Sequence, residues 1–104
     1  MTIQFNTDKN ITGNEEKSAP LIDFLTTELA RFSKHITRLE VHLSDENGHK
    51  EGQNDIRCLI EARLEGRQPI AVSSDANNGS LAVRGASEKL KNALETIIGR
   101  ARNH

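Results

Sequence analysis

Three histidines spaced seven residues apart are the first residues of this chain that could do chemistry. His35, His42 and His49 carry imidazole nitrogens, which bind transition metals and transfer protons near neutral pH. The surrounding pattern predicts a helix end for the first, a strand for the second and a loop for the third. No single secondary structure unites residues at that spacing, so we expect no metal site here.

Carboxylate and hydroxyl residues give little more support for catalysis. The run Asp45–Gly48 has oxygen ligands in a turn, but it lacks the longer calcium-loop pattern that ends in a glutamate. Glu61 and Glu65 share the exposed side of a predicted strand with arginines, and cross-strand ion pairs account for them. The Ser73–Ser74 pair has no base that the sequence reveals. We therefore expect a binding module that is not an enzyme, with no catalytic residue, metal or cofactor.

The small number of cysteine and aromatic residues limits the compartment and the kinds of binding surface that we expect. Cys58 is the only cysteine, which excludes an internal disulfide and fits a reducing compartment. The aromatic residues are Phe5, Phe24 and Phe32, too few for a surface that stacks on bases. No apolar run approaches the roughly 18 residues of a membrane span, and the start of the chain does not resemble a signal peptide. We expect a cytoplasmic protein that is not bound to a membrane.

Charge is unevenly distributed along the chain. The formal net charge is −1, but residues 40–65 hold seven acids against three bases, and residues 84–104 hold five bases against two acids. A basic stripe on a helix can meet phosphate groups. It can equally complement the helix dipole and keep an exposed face hydrated. The charge pattern leaves both interpretations open.

Two segments alternate apolar and polar residues, which predicts strands with one buried and one exposed face. They span residues 37–44 and 55–65, separated by a polar loop with two glycines. In the second, Cys58 belongs to the apolar side, which indicates an inert core thiol. Ile3 and Phe5 indicate a short first strand. Residues 70 and 72 face inward in a fourth strand, and Pro69 near its start favours an edge position.

Helical periodicity predicts an amphipathic helix over about residues 19–34, with Ser18 as its cap, and a last helix capped by Asn78. The apolar stripe of the last helix comprises Val83, Ala86, Leu90, Ala93, Leu94, Ile97 and Ala101. The resulting order is β-α-β-β-β-α. This predicts an α+β fold in which two helices pack on one face of a four-stranded sheet.

The order of elements and three stretches of residues resemble the family of ribosome hibernation promoting factor and ribosome-associated inhibitor A, also called factor Y. The segment Leu29–Arg38 resembles the family's Leu-x-Arg-Leu-x-Lys-His/Tyr-Phe-x-Arg pattern. The strand segment Val41–Leu43 is similar to its Val-x-Leu. Ala82–Val83 with Glu88–Leu90 is similar to its Ala-Ile-Asp-x-x-x-Asp-Lys-Leu. The resemblance covers about residues 2–100, and it implies one domain of this type over residues 1–104.

What the resemblance implies is a translation regulator that binds the small ribosomal subunit near the decoding centre and occupies the channel that tRNA and mRNA need. Family members contact ribosomal RNA phosphates through basic residues on their helices. The positions that correspond here, with one added neighbour, are expected to bind rRNA: Arg31, Lys34, Arg38, Lys89 and Lys91.

This chain also departs from the family pattern. Asn92 and Glu95 stand where the last helix of the family has bases, and Arg84 stands where it has an aspartate. The thinner basic run and the net charge of −1 favour a second hypothesis, a protein-interaction module. Such a module would use the mixed-charge open sheet face or the acidic hairpin at residues 44–55.

Overall fold

The computed structural model describes residues 1–7, 15–45 and 56–99, with the backbone alone at 15–17. These residues form β1 (Thr2–Thr7), α1 (Glu15–Glu28), a 3₁₀ turn (Ala30–Phe32), β2 (Ile36–Asp45), β3 (Ile56–Leu64), β4 (Ile70–Ala76), α2 (Gly79–Leu94) and a π-helical segment (Glu95–Gly99). The order β-α-β-β-β-α and the α+β class are confirmed.

The four strands form one mixed sheet in the order β1-β2-β3-β4. β1 runs parallel to β2, whereas β2, β3 and β4 are antiparallel to one another. α1 connects the parallel pair, since parallel neighbours need a crossover instead of a tight hairpin. β4 lies at an edge, as Pro69 predicts, because a proline nitrogen cannot donate a ladder hydrogen bond.

Both helices pack on one face of the sheet, and no described element covers the other face. The inward side chains Leu39, Val41 and Ile60 are fully buried, and α2 lies over β3 and β4 on this face. α1 adds Leu25 and Leu29 to the same core. Each such side chain contributes about 1.5–3 kcal/mol by leaving water. This shared core holds the two helices and the sheet in one arrangement.

A β-bulge interrupts the alternation at the start of β2. Ile36 pairs with Leu64 and Arg38 with Arg63, so Thr37 is the additional residue. The bulge lets Ile36 enter the core, where it is 2% exposed, while Arg38 stays on the open face. Period-two alternation does not predict this, because it cannot show which strand carries an additional residue.

Helix α1 begins and ends earlier than the expected range 19–34. It starts at Glu15, so Ser18 lies inside the helix and is not its N-cap. The chain then tightens into the 3₁₀ turn, where the Phe32 N–H donates to the Leu29 carbonyl at 2.9 Å. The tighter turn brings Phe32 into the core ahead of β2.

Helix α2 begins as its sequence predicts. The Asn78 Oδ1 accepts a hydrogen bond from the Leu81 N–H at 2.9 Å, which confirms the expected cap. Its apolar stripe is confirmed over the described residues, because Val83, Leu90 and Leu94 are buried and Ile97 packs partly buried against the core. The π-helical segment has wider turns, and it buries Ile98 completely while Ile97 is half-buried. Ala101, also expected in the stripe, lies outside the described residues.

Gly85 of α2 makes a close approach to strand β4. A Cβ atom at this position would lie 2.2 Å from the Ser74 Oγ and 3.1 Å from its Cβ. Because glycine has no side chain, the helix can sit directly against the edge strand.

Candidate nucleic-acid interface

The five basic residues that the sequence singles out lie in two places. Arg31, Lys89 and Lys91 belong to the 3₁₀ turn and α2, and we call them the helix group. Lys34 and Arg38 lie where β2 begins and β3 finishes. We call that region, residues 34–38 and 63–67, the sheet end. The two places differ in how their cations are engaged.

In the helix group, Arg31 forms an ion pair with Glu95 at the start of the π-helical segment. Its guanidinium carbon also lies 4.6 Å from the centre of the Phe32 ring. The side chains of the ion pair are 60% and 53% exposed, so water screens it and its contribution to stability is small. The contact nevertheless occupies the guanidinium with a carboxylate of the same chain.

Lys91 is the most enclosed cation of the helix group. Its Nζ lies 2.7 Å from Glu28 Oε1 on α1 and 3.3 Å from Glu88 Oε2 on α2, and its side chain is 24% exposed. The hydrogen bond to Glu28, followed by the one to Glu88, raises the pKa of Lys91 above its ordinary value. Lys91 therefore joins the two helices and remains charged over the physiological range.

Lys89 is engaged with the sheet. Its Nζ donates a hydrogen bond to the Ser73 carbonyl oxygen on β4 at 2.7 Å. A lysine over an edge strand also discourages pairing with another chain. Neighbouring Arg84, which replaces the aspartate of the family pattern, lies over the Phe24 ring of α1 at 5.0 Å. Both side chains thus have partners within the fold.

The helix group consequently has intramolecular partners throughout. Arg31 and Lys91 contact three carboxylates, those of Glu28, Glu88 and Glu95. A phosphate that approached these cations would have to compete with acidic groups already in contact. The helix face is therefore less attractive to an anion than its number of bases indicates.

At the sheet end the cations are less engaged. Arg38 donates to Gln4 Oε1 on β1 and lies 3.5 Å from Glu40 Oε1. Lys34 is exposed and forms no ion pair with any described residue. The Glu65 N–H donates to the His35 carbonyl at 2.9 Å, which brings the start of β2 against the end of β3.

Strand register adds a residue that sequence reasoning did not assign to the site. Arg63 pairs directly with Arg38, on the same open face. The sequence places Arg57 and Arg63 beside glutamates, but Arg57 contacts Asp75 of β4 at 2.9 Å instead. That hydrogen bond holds the pKa of Asp75 below its ordinary value. Alternation shows which face a residue occupies, whereas its cross-strand partner depends on register.

The rest of the open face carries both signs of charge. Glu40 pairs directly with Glu61, and His42 pairs with Leu59. The His42 Nε2 lies 3.9 Å from the Glu61 carboxylate. A mixed surface of this kind is compatible with the second hypothesis of a protein partner. The acidic hairpin of that hypothesis falls largely outside the described residues, at positions 46–55.

The candidates for chemistry do not converge. His35 lies just before β2 and His42 lies within it, while His49 is outside the described residues. No group of acidic, histidine or cysteine side chains in the described part could hold a metal ion. Burial raises the pKa of the Cys58 thiol to about 12, so it stays protonated. Among the described helices, none combines the length and apolar character needed to cross a bilayer.

Comparison with solved structures finds the same fold elsewhere. The N-terminal domain of Thermus thermophilus Protein Y matches with a TM-score of 0.66 and 18% identity, covering 93% of this chain and 99% of that one. A ribosomal subunit interface protein from Coxiella burnetii matches with a TM-score of 0.70 and 13% identity, covering 95% and 99%. Among curated proteins, no sequence matches this chain.

The decisive comparison is with protein families. Residues 9–102 match the family described as Sigma 54 modulation protein / S30EA ribosomal protein. The match includes both helices and strands β2 to β4, together with the basic positions described above. It confirms the resemblance that the stretches around Arg31, Val41 and Lys89 indicate. The chain therefore belongs to the Sigma 54 modulation protein / S30EA ribosomal protein family.

Proposed function

We propose that this protein is a cytoplasmic, ribosome-associated translation regulator that binds the small subunit and occludes its decoding region. The observation that carries the proposal is the family match over residues 9–102, since the family consists of ribosome-associated factors that are not enzymes. The proposed rRNA contacts are Arg31, Lys34, Arg38, Lys89 and Lys91.

The proposed mechanism is electrostatic docking of a rigid block. Cationic side chains would meet phosphate oxygens, which gives strong salt dependence and little sequence discrimination. Of the aromatic residues, Phe32 is buried and Phe5 and Phe24 are half-buried, so base stacking contributes little. Regulation would then follow from volume exclusion, because a bound protein occupies space that mRNA and tRNA need.

Co-sedimentation with purified small subunits at low and moderate salt tests the proposal. We expect about one copy per subunit at low salt and a steep loss of binding as salt rises. Lys34→Gln should weaken the association, because it removes an exposed cation with no ion-pair partner among the described residues. Arg57→Gln is the matched control, since Arg57 is already paired with Asp75 at the opposite end of β3.

The proposed occlusion of the decoding region is tested separately, by measuring tRNA binding. We expect bound protein to reduce the binding of tRNA to mRNA-programmed small subunits, in proportion to its occupancy. Full tRNA binding at saturating protein would overturn the occlusion mechanism while leaving ribosome association intact. Failure of the wild-type protein to sediment with subunits at low salt would overturn the proposed function as a whole.

One observation favours an alternative function. The carboxylates of Glu28, Glu88 and Glu95 neutralise Arg31 and Lys91 of the helix group, which supports a protein-interaction module on the same scaffold with weak or no RNA binding. Affinity capture with and without nuclease separates the two functions. A protein partner that survives nuclease treatment favours the alternative, whereas ribosomal material that is lost on treatment favours subunit binding.

A further inference from the structure

Two arginines outside the proposed rRNA contacts lie at the sheet end. Arg63 is the penultimate residue of β3, and Arg67 follows in the turn to β4. Both are exposed, and neither side chain has an ion-pair or hydrogen-bond partner among the described residues. They differ in this from the helix group, whose three cations are all engaged.

Local backbone structure brings these arginines together with Lys34 and Arg38. Arg63 pairs with Arg38 across the ladder, and the Glu65 N–H donates to the His35 carbonyl. Gly66 then turns the chain with a φ of 72°, a conformation that favours glycine. The Arg67 N–H closes this turn on the Leu64 carbonyl at 3.4 Å. Four cations thus lie at one end of the sheet.

The direct pairing of Arg38 with Arg63 is unfavourable for the isolated fold. Like charges opposite each other on one sheet face repel and destabilise the pair. The nearby acids do not cancel the charge of the four cations. Glu40 pairs with Arg38 alone, at 3.5 Å, and Glu65 makes no ion pair within the described residues. A bound anion would convert this repulsion into attraction.

We infer that Lys34, Arg38, Arg63 and Arg67 form a binding surface for the phosphate backbone of folded RNA. This surface carries more of the electrostatic binding than the helix group does. The inference rests on the proposed function, because the RNA that it names is the RNA of the small subunit. It adds Arg63 and Arg67 to the contacts, and it moves the centre of the interface from the helices to the sheet end.

The side-chain chemistry favours phosphate over an acidic protein surface. Three of the four cations are arginines, whose planar fork donates two parallel hydrogen bonds to one phosphate. Lys34 supplies a mobile point charge beside them. On the neighbouring part of the sheet, the apolar residues that face outward are the half-buried Leu59 and the small Ala71. A protein interface needs a central apolar anchor, which the four cations themselves do not supply.

The test measures binding of the full chain to two probes, purified small subunits and a labelled RNA hairpin, over a salt series. The variant is Arg63→Gln/Arg67→Gln. Controls are Arg57→Gln, on the same strand but paired with Asp75, and Lys89→Gln from the helix group. Thermal unfolding of each variant verifies that it is folded.

We expect the double variant to lower the slope of log K against log salt by about 2 for the probe that binds, because two phosphate contacts are lost. Arg57→Gln should leave the slope unchanged, and Lys89→Gln should change it less than the double variant does. An unchanged slope in the double variant, with wild-type binding to subunits intact, overturns this inference and leaves the proposed function standing.

The remaining outcomes are equally decisive. If the wild-type protein binds the hairpin but not subunits, and the double variant loses that binding, the RNA surface stands and the ribosomal function falls. If the wild-type protein binds neither probe at low salt, both fall, and the sheet end becomes a candidate site for an acidic protein.

Discussion

At the scale of single residues, burial decides which groups can react. Cys58 is 0% exposed and its burial raises its pKa to about 12, which removes the thiol from nucleophilic chemistry. Arg38, by contrast, keeps 39% of its side chain exposed between Gln4 and Glu40. The Cys58 thiol is therefore structural, whereas the Arg38 guanidinium keeps an exposed part that a ligand can reach beside its contacts with Gln4 and Glu40.

Cys58 should resist thiol reagents in the native protein at pH 8 and react only after unfolding. The physical reason is that a buried thiol with a raised pKa forms almost no thiolate. A Ser80→Cys/Cys58→Ala variant, with its thiol on an exposed helix position, should react quickly and serves as the control. Rapid labelling of native Cys58 would contradict the buried placement.

The Cys58 thiol also makes the stability of the folded protein depend on pH. Its folded pKa lies above the ordinary value of 9.0, so its contribution to stability is complete below pH 9. As pH rises from there toward about 12, the unfolded state gains thiolate that the folded state does not form, and stability falls. Cys58→Ala should remove this part of the alkaline destabilisation.

At the scale of elements, local hydrogen bonds explain where α2 starts, and tertiary packing explains how α1 ends. Asn78 is visible as a cap in the sequence, because an amide side chain before an apolar periodic run satisfies a free N–H group. The end of α1 is not visible in this way. Phe32 fits a longer helix equally well, and only its burial in the core selects the 3₁₀ turn.

Replacement of the α2 cap tests this element directly. Asn78→Ala should lower the free energy of unfolding by about 1 kcal/mol, since the Leu81 N–H loses its acceptor. Asn78→Asp should retain most of the stability, because a carboxylate also accepts this bond and favours the helix N-terminus. Urea unfolding at constant slope measures both variants. Equal stability of the alanine variant and the parent would argue against the cap.

At the scale of the whole molecule, the cations divide between holding the fold together and facing outward. Lys91 joins α1 to α2 through Glu28, whereas Lys34, Arg63 and Arg67 have no described ion-pair partner. A substitution in the first set should therefore affect stability, and one in the second set should affect binding. Residue type alone does not separate the two sets.

A double-mutant cycle on Lys91 and Glu28 tests this division. Lys91→Gln and Glu28→Gln should each lower the Tm, and the double variant should lower it by less than the sum, because the two share one contact. The pKa of Lys91 is raised, so on the alkaline side the coupling persists up to its ordinary value of 10.5 and is lost as pH rises through the higher folded pKa. Strict additivity at neutral pH would mean that the contact contributes nothing.

The sequence by itself determined the order of elements, the buried faces and the family of this protein. Period-two and helical patterns show which side chains are buried. A cap such as Asn78 depends only on residues close to it in the chain. The match around Arg31 and Lys89 likewise needs no coordinates. These properties are local, so they can be read along the chain.

Only the tertiary structure decided which cations are available and where they meet. Strand register places Arg63 opposite Arg38, and helix packing places Glu28 against Lys91. Both depend on contacts between residues far apart in sequence, including the bulge at Thr37. Because a charge acts through its surroundings as well as its type, the candidate binding surface emerges only when the chain is folded.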